Sequence, residues 1–245
     1  MGTREFPDAP RLFLPGWGYG VEPIAPMLAR AGWTARPLPG MTPGEEIPAS
    51  FPQAVDTLLR TLPPKCYLGG WSLGGILALA CAAARPERIL GLSLVATTPS
   101  FIQREGWAHG RPREELDTFM ATIRESGSET LPAFAERFCR GDEYQGAAAL
   151  FSGAARERES LEASSRHKAA LLAGLDWLAE ADARAETARI TAPVTLWHGD
   201  RDRLIPPEAS RWLARHLPNA ASVRLVILPG RAHAPFAGNE ALLLQ

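Results

Sequence analysis

Gly70-Trp71-Ser72-Leu73-Gly74 stands between a short apolar run, Cys66-Tyr67-Leu68-Gly69, and an Ala-rich apolar stretch that runs from Leu73 to Ala84. The first run reads as a strand and the second as a helix. The pentapeptide G-x-S-x-G therefore occupies a tight strand-to-helix turn. A serine in such a turn has a strained backbone, and its hydroxyl is pushed outward. The residues two positions away must be glycine, because a side chain there would strike the adjacent strand or helix. The helix start also points amide N–H groups and a partial positive charge at the same place. Ser72 is thus the candidate nucleophile; the alternative is a plain glycine-rich turn.

The same alternation extends outward. Residues 11–14, 33–38 (weakly) and 89–96 read as strands, and 23–31 and 51–62 as helices. Strand and helix in alternation mark a parallel sheet covered by helices, an α/β fold. The pattern changes after Ala96. Over 99–189 no strand is evident, and helical periodicity runs through 113–125, 129–137, 160–173 and 175–183, interrupted at Gly141, Gly146 and Gly153. From Ala192 the alternation returns, with strands at 194–198 and 223–228, a helix at 207–216 and a short last helix at 240–244. The expected organisation is a core of residues 1–99 and 190–245, with a helical cap, 100–189, inserted after the strand that ends near Ala96.

Composition narrows the function. A chain of 245 residues accommodates one large domain with an insertion. A net charge of −1 argues against a nucleic-acid partner held by the general surface. Cys66, Cys81 and Cys139 are odd in number and show no CxxC spacing, against a disulfide framework or a zinc site. No apolar run reaches the roughly 20 residues of a membrane span. The first ten residues, with Glu5, Asp8 and two prolines, do not form a secretory signal. A cytoplasmic monomer without metal or organic cofactor is the expectation.

A serine hydroxyl needs a base to take its proton, usually a histidine oriented by a carboxylate. On a sheet with this turn the order is Ser, acid, His. Of His109, His167, His198, His216 and His233, only His233 lies in a loop after a strand near the chain end. His198 ends a strand but precedes the acid; His216 sits near a helix end, and His109 and His167 fall in the cap. After the strand 194–198 come Asp200 and Asp202. Asp202 has the spacing of a glycine, two residues, then Asp, with proline soon after; Asp200 suits a turn-capping role. Asp176 and Asp182, in the cap, are weaker rivals. Negative charge on an attacked carbonyl oxygen requires two fixed N–H donors. Leu73, directly after the nucleophile, is one candidate, and Trp17, in the loop Pro15-Gly16-Trp17-Gly18-Tyr19-Gly20, is the other.

These residues resemble the α/β-hydrolase superfamily. More closely, the chain resembles the pimeloyl-acyl carrier protein methyl ester esterases of biotin synthesis. The resemblance rests on Gly16-Trp17-Gly18, on Gly70 to Gly75, on Thr97-Thr98-Pro99-Ser100-Phe101 and Arg104-Glu105-Gly106-Trp107, on Glu136-Arg137-Phe138, on Gly174-Leu175-Asp176 and on Ala232-His233-Ala234-Pro235-Phe236. It departs from the family at Pro15, where a histidine is usual, and over 39–44. The resemblance implies a serine carboxylesterase with an α/β-hydrolase fold, acting on a pimeloyl methyl ester carried by acyl carrier protein and releasing methanol. It also implies a cap that lines an acyl channel with aromatics, here Phe119 and Phe138, and meets the carrier through arginines. Arg137 matches by motif; Arg140, Arg156 and Arg158 are neighbouring candidates. A solvated helix face is the alternative for the arginines, as core packing is for Trp71 and Phe138. Rival functions are a general short-chain esterase, thioesterase or lactonase with the same triad, and a non-catalytic binding protein on a hydrolase scaffold. A dehalogenase would need Asp at the turn, where Ser72 stands.

Overall fold

The computed structural model describes residues 8–156 and 161–238, with side chains outside 153–164. The helix expected at 240–244 lies outside the described residues. Strands β1 (Arg11–Leu14), β2 (Thr34–Ala35), β3 (Cys66–Trp71), β4 (Ile89–Val95), β5 (Val194–Gly199) and β6 (Val223–Leu228) form one sheet in the order β2-β1-β3-β4-β5-β6. Every neighbouring pair is parallel. Parallel strands need crossovers, and helices α1 (Ala25–Arg30), α2 (Phe51–Thr61) and α3 (Leu73–Ala84) supply the first three. Between β4 and β5 the chain makes α4 (Arg113–Ser126), α5 (Leu131–Phe138), α6 (Ala147–Arg156) and α7 (Leu161–Glu180); α8 (Glu208–Arg215) joins β5 to β6.

Side chains alternate across the sheet. Leu12 and Leu14 bury on one face, with α2, α3 and much of the inserted helical segment. Phe13 buries on the other, with Trp33, Trp71 and Trp197. Helix α3 is apolar all round and buried along nearly its whole length, as a central helix must be.

Three local expectations change. The weak strand at 33–38 is only Thr34–Ala35; Pro37 and Pro39 have no N–H to extend the ladder. The two helices expected at 160–173 and 175–183 are the single α7, which passes through Gly174 without a break. A Cβ on Gly174 would stand 2.6 Å from Cδ1 of Trp17, so the glycine makes room for the indole. Helix α6 occupies a stretch whose glycines read as interruptions. Its Phe151 is fully buried and packs at 5.0 Å from Trp71 and 5.1 Å from Tyr19, and that burial outweighs local propensity.

The Arg104-Glu105-Gly106-Trp107 stretch fastens the inserted segment. Gly106 (φ 68°) allows a tight turn, with Trp107 N–H donating to Arg104 O at 2.8 Å. The Arg104 guanidinium then donates to the last carbonyls of α7, Ala179 O at 2.6 Å and Glu180 O at 3.0 Å, and to Ser100 Oγ at 3.0 Å. A cation there satisfies orphan carbonyls and complements the helix dipole. Hydrogen bonds to a charged group are worth roughly 1.5–3 kcal/mol, so Arg104→Ala is expected to lower unfolding stability by about 2 kcal/mol. Urea denaturation checks this: the midpoint falls while the slope stays that of the parent protein.

Candidate active site

The turns after β1, β3, β5 and β6 all leave the carboxyl ends of the strands, where parallel sheets form their sites. Ser72 follows β3 with φ 55° and ψ −121°, a backbone conformation that side chains rarely adopt. The flanking glycines are required by contact. A Cβ on Gly70 would lie 2.3 Å from the Gly74 carbonyl, and a Cβ on Gly74 would lie 2.4 Å from Pro15 O. Ser72 is bonded on both backbone sides: its N–H donates to Val95 O at 3.0 Å, and its carbonyl accepts from Thr97 Oγ1 at 2.8 Å.

Leu73 is the first residue of α3, so its N–H is one of the helix's orphan donors. The loop carrying Trp17 runs against the serine turn. The Trp17 indole reaches away into the helical segment, donating to Leu171 O at 2.8 Å and meeting Phe119 and Phe134 edge-on, each at 5.3 Å.

The structure brings His233 to Asp202 and not to Asp200. His233 Nδ1 lies 2.7 Å from Asp202 Oδ2. The other oxygen, Oδ1, accepts from the N–H groups of Leu204 at 2.9 Å and Ile205 at 3.0 Å. A third group enters: His198 Nε2 is 3.1 Å from Oδ2. Burial by itself would push the Asp202 carboxyl up, but His233 and His198 outweigh it and hold the carboxyl well below the usual carboxylate range. The resulting stabilisation of the fold is present above about pH 4 and is lost as the pH falls through the depressed value. Asp200 accepts from Gly230 N–H at 2.8 Å, tying two loops together instead of capping its own turn.

Residues from the inserted segment hold the His233 loop. Asp142 accepts from Ala232 N–H at 2.8 Å and pairs with Arg231 Nε at 2.9 Å. Phe138 O accepts from His233 N–H at 3.3 Å, and Trp71 Nε1 donates to His233 O at 2.8 Å.

Ser72 and His233 line one cleft of about 670 Å³ that also takes in Trp17, Phe101, Phe119, Phe134 and Phe138. No hydrogen bond joins the serine hydroxyl to the imidazole among the described residues; such contacts commonly tighten only with substrate in place. Trp71 and Phe138 are at once core and lining. Arg137 is exposed at the same cleft, 4.0 Å from Glu115, which also pairs with Arg111. Arg140 is exposed beside Asp142. The side chain of Arg156, and Arg158 altogether, lie outside the described residues.

The remaining rivals are elsewhere. His216 stacks on Trp212 at 3.9 Å, His109 meets Trp107 at 5.2 Å, Asp176 is exposed, and Asp182 pairs with Arg184. Sequence reasoning missed Arg111, Glu115, Phe134, Asp142 and the approach of His198 to the acid. The four-residue spacing of Arg111 and Glu115 was a usable signal; Asp142 had none, since its partners are some 90 positions away.

Comparison with known proteins bears on the family and the fold. A profile of the alpha/beta hydrolase fold matches residues 14–239. A Chromobacterium violaceum protein named pimeloyl-acyl-carrier-protein methyl ester esterase is 36% identical over 210 residues, 83% of this chain and 77% of its own length. A protein of the same name from Aromatoleum aromaticum is 33% identical over 236 residues, 92% of this chain and 91% of its own. Among solved structures, a hydrolase from Oleispira antarctica superposes with a TM-score of 0.77 at 15% identity, covering 98% of this chain and 89% of its own. An enol-lactonase from Burkholderia xenovorans superposes with a TM-score of 0.72 at 21% identity, covering 99% and 91%. Those structural likenesses show the fold alone.

Removing one partner of a buried ion pair costs about 3–5 kcal/mol. Asp142→Ala is therefore expected to destabilise the protein by about that much, whereas Arg140→Ala, at the exposed surface beside it, should stay within roughly 0.5 kcal/mol of the parent. Denaturant titration of the two variants checks this; equal small losses would mean the clamp holds nothing.

Proposed function

The chain belongs to the α/β-hydrolase family and, within it, to the pimeloyl-acyl-carrier-protein methyl ester esterases, and we propose that it is a serine carboxylesterase that hydrolyses the methyl ester of pimeloyl-acyl carrier protein in biotin synthesis. The observation that carries this reading is the 2.7 Å Asp202–His233 pair opening onto the same aromatic-lined cleft as Ser72 at its strained turn.

In the proposed mechanism Ser72 Oγ attacks the ester carbonyl while His233 Nε2 takes its proton. The tetrahedral oxyanion is held by the N–H groups of Leu73 and Trp17. Collapse breaks the bond to the methoxy oxygen, which leaves as methanol with the proton from His233. Water, giving a proton to the same imidazole, then attacks the acyl-enzyme; His233 returns that proton to Ser72, and the free carboxylate departs. Asp202 stays ionised throughout, keeps the imidazole in the Nδ1–H tautomer and stabilises its positive charge.

The aromatic walls suit a pimeloyl chain, which has no polar group between its two ends. The exposed Arg137 and Arg140 suit an acidic carrier surface, and Arg156 and Arg158 are proposed as further carrier contacts. The enzyme is proposed to work as a cytoplasmic monomer; gel filtration with light scattering tests the monomer.

The test is hydrolysis of methyl pimeloyl-acyl carrier protein, with p-nitrophenyl acetate and butyrate in parallel. The carrier-linked ester should turn over far faster. Ser72→Ala should abolish turnover, and Asp202→Asn should lower kcat by roughly 10⁴. Arg137→Ala should raise KM for the carrier-linked ester alone. Turnover of the small esters only would overturn the substrate assignment and leave the esterase. Failure of a serine-reactive fluorophosphonate to label the protein would overturn the enzyme.

A further inference from the structure

Asp202 Oδ2 serves two imidazoles. His198, at the end of β5, is fully buried, and both its ring nitrogens are engaged. Nδ1 lies 2.7 Å from Oγ of Ser210 on α8, itself fully buried. Nε2 lies 2.9 Å from Ile205 O and 3.1 Å from Asp202 Oδ2. Ile205 O can only accept, so Nε2 carries a hydrogen and shares it between that carbonyl and the carboxylate, while Ser210 Oγ engages Nδ1. A histidine that merely fills core would not need its N–H aimed at the carboxylate oxygen that holds the base.

We infer that His198 is a positioning residue for the reaction, sharing Asp202 Oδ2 with His233 and thereby limiting how strongly the carboxylate draws positive charge onto His233. The inference rests on the reading of Asp202 and His233 as acid and base. An acceptor divided between two donors binds each less strongly. Without the His198 donor, Oδ2 would turn wholly to His233, and the imidazolium would be better stabilised. His233 would then hold its proton to higher pH, and the enzyme would lose activity earlier on acidification. Also near this cluster among the described residues are the Ser210 hydroxyl, the Ser72 hydroxyl across the cleft from His233 and, after α5, the Cys139 thiol. Burial pushes that thiol up to about 12, so it is neutral, and Asp142 beyond it is paired with Arg231.

The experiment is the pH dependence of kcat/KM for p-nitrophenyl butyrate with the wild type, His198→Phe and His198→Gln. Phe keeps the bulk and removes the donor; Gln can present an amide N–H close to the position of Nε2. The acid limb of His198→Phe is expected to move up by roughly half to one pH unit, and that of His198→Gln to stay with the wild type. Should the Phe variant not fold, His198→Asn, whose shorter amide falls short of Oδ2, replaces it with the same expected displacement. A folded donorless variant whose acid limb coincides with the wild type, whatever its kcat, overturns the inference while leaving the triad reading intact. A wild type without an acid limb, or one whose activity survives His233→Ala, overturns the triad reading itself and the inference with it.

Discussion

At the turn after β3 three pieces of backbone come closer than any side chain permits. The strand end at Gly70, the first turn of α3 at Gly74 and the loop after β1 at Pro15 leave 2.3–2.4 Å where a Cβ would stand. Ser72 takes up the resulting strain at φ 55°. A conformation this unfavourable survives only where its surroundings over-determine it. Here the parallel ladders on both sides of β3, the buried apolar length of α3 and the bond from Thr97 to the Ser72 carbonyl do so. Because the loop after β1 is one of the three pieces, the same crowding sets that loop against the serine turn. The other turns of the site inherit their positions from the strand order.

Two carboxylates organise the rest. Buried charge is tolerated only when it is paired and hydrogen-bonded. Asp202 is surrounded by four donors, two backbone N–H groups and two imidazoles. Asp142 receives the Arg231 guanidinium and the N–H groups of Tyr144 and Ala232. Asp202 orders the loop after β5, and Asp142 ties the loop after β6 to the inserted helices. The inserted segment therefore does more than cover the cleft. Its carbonyl at Phe138 and its carboxylate at Asp142 hold the backbone of the loop that bears His233, while Phe119, Phe134 and Phe138 form apolar wall. The exposed Arg137 and Arg140, proposed above as carrier contacts, lie on the same short length of chain as that clamp.

Features that depend on near neighbours along the chain are legible from the residues alone. The strand–helix alternation, the glycines two residues either side of Ser72 and the preference for Asp202 over Asp200 all follow from steric or spacing rules that act within a few residues. The arrangement of helices in the inserted segment was only partly legible, because the burial of Phe151 and the fit of Gly174 under Trp17 depend on surfaces far away in sequence. Three-dimensional packing alone brings Asp142 to Ala232, joins Arg111 and Arg137 through Glu115 at the cleft, and sets His198 and His233 on one oxygen of Asp202. A charge or a ring nitrogen acquires its role from whichever partners the packed strands and helices bring within about 3 Å of it, and those partners leave no periodic pattern in the residues on either side.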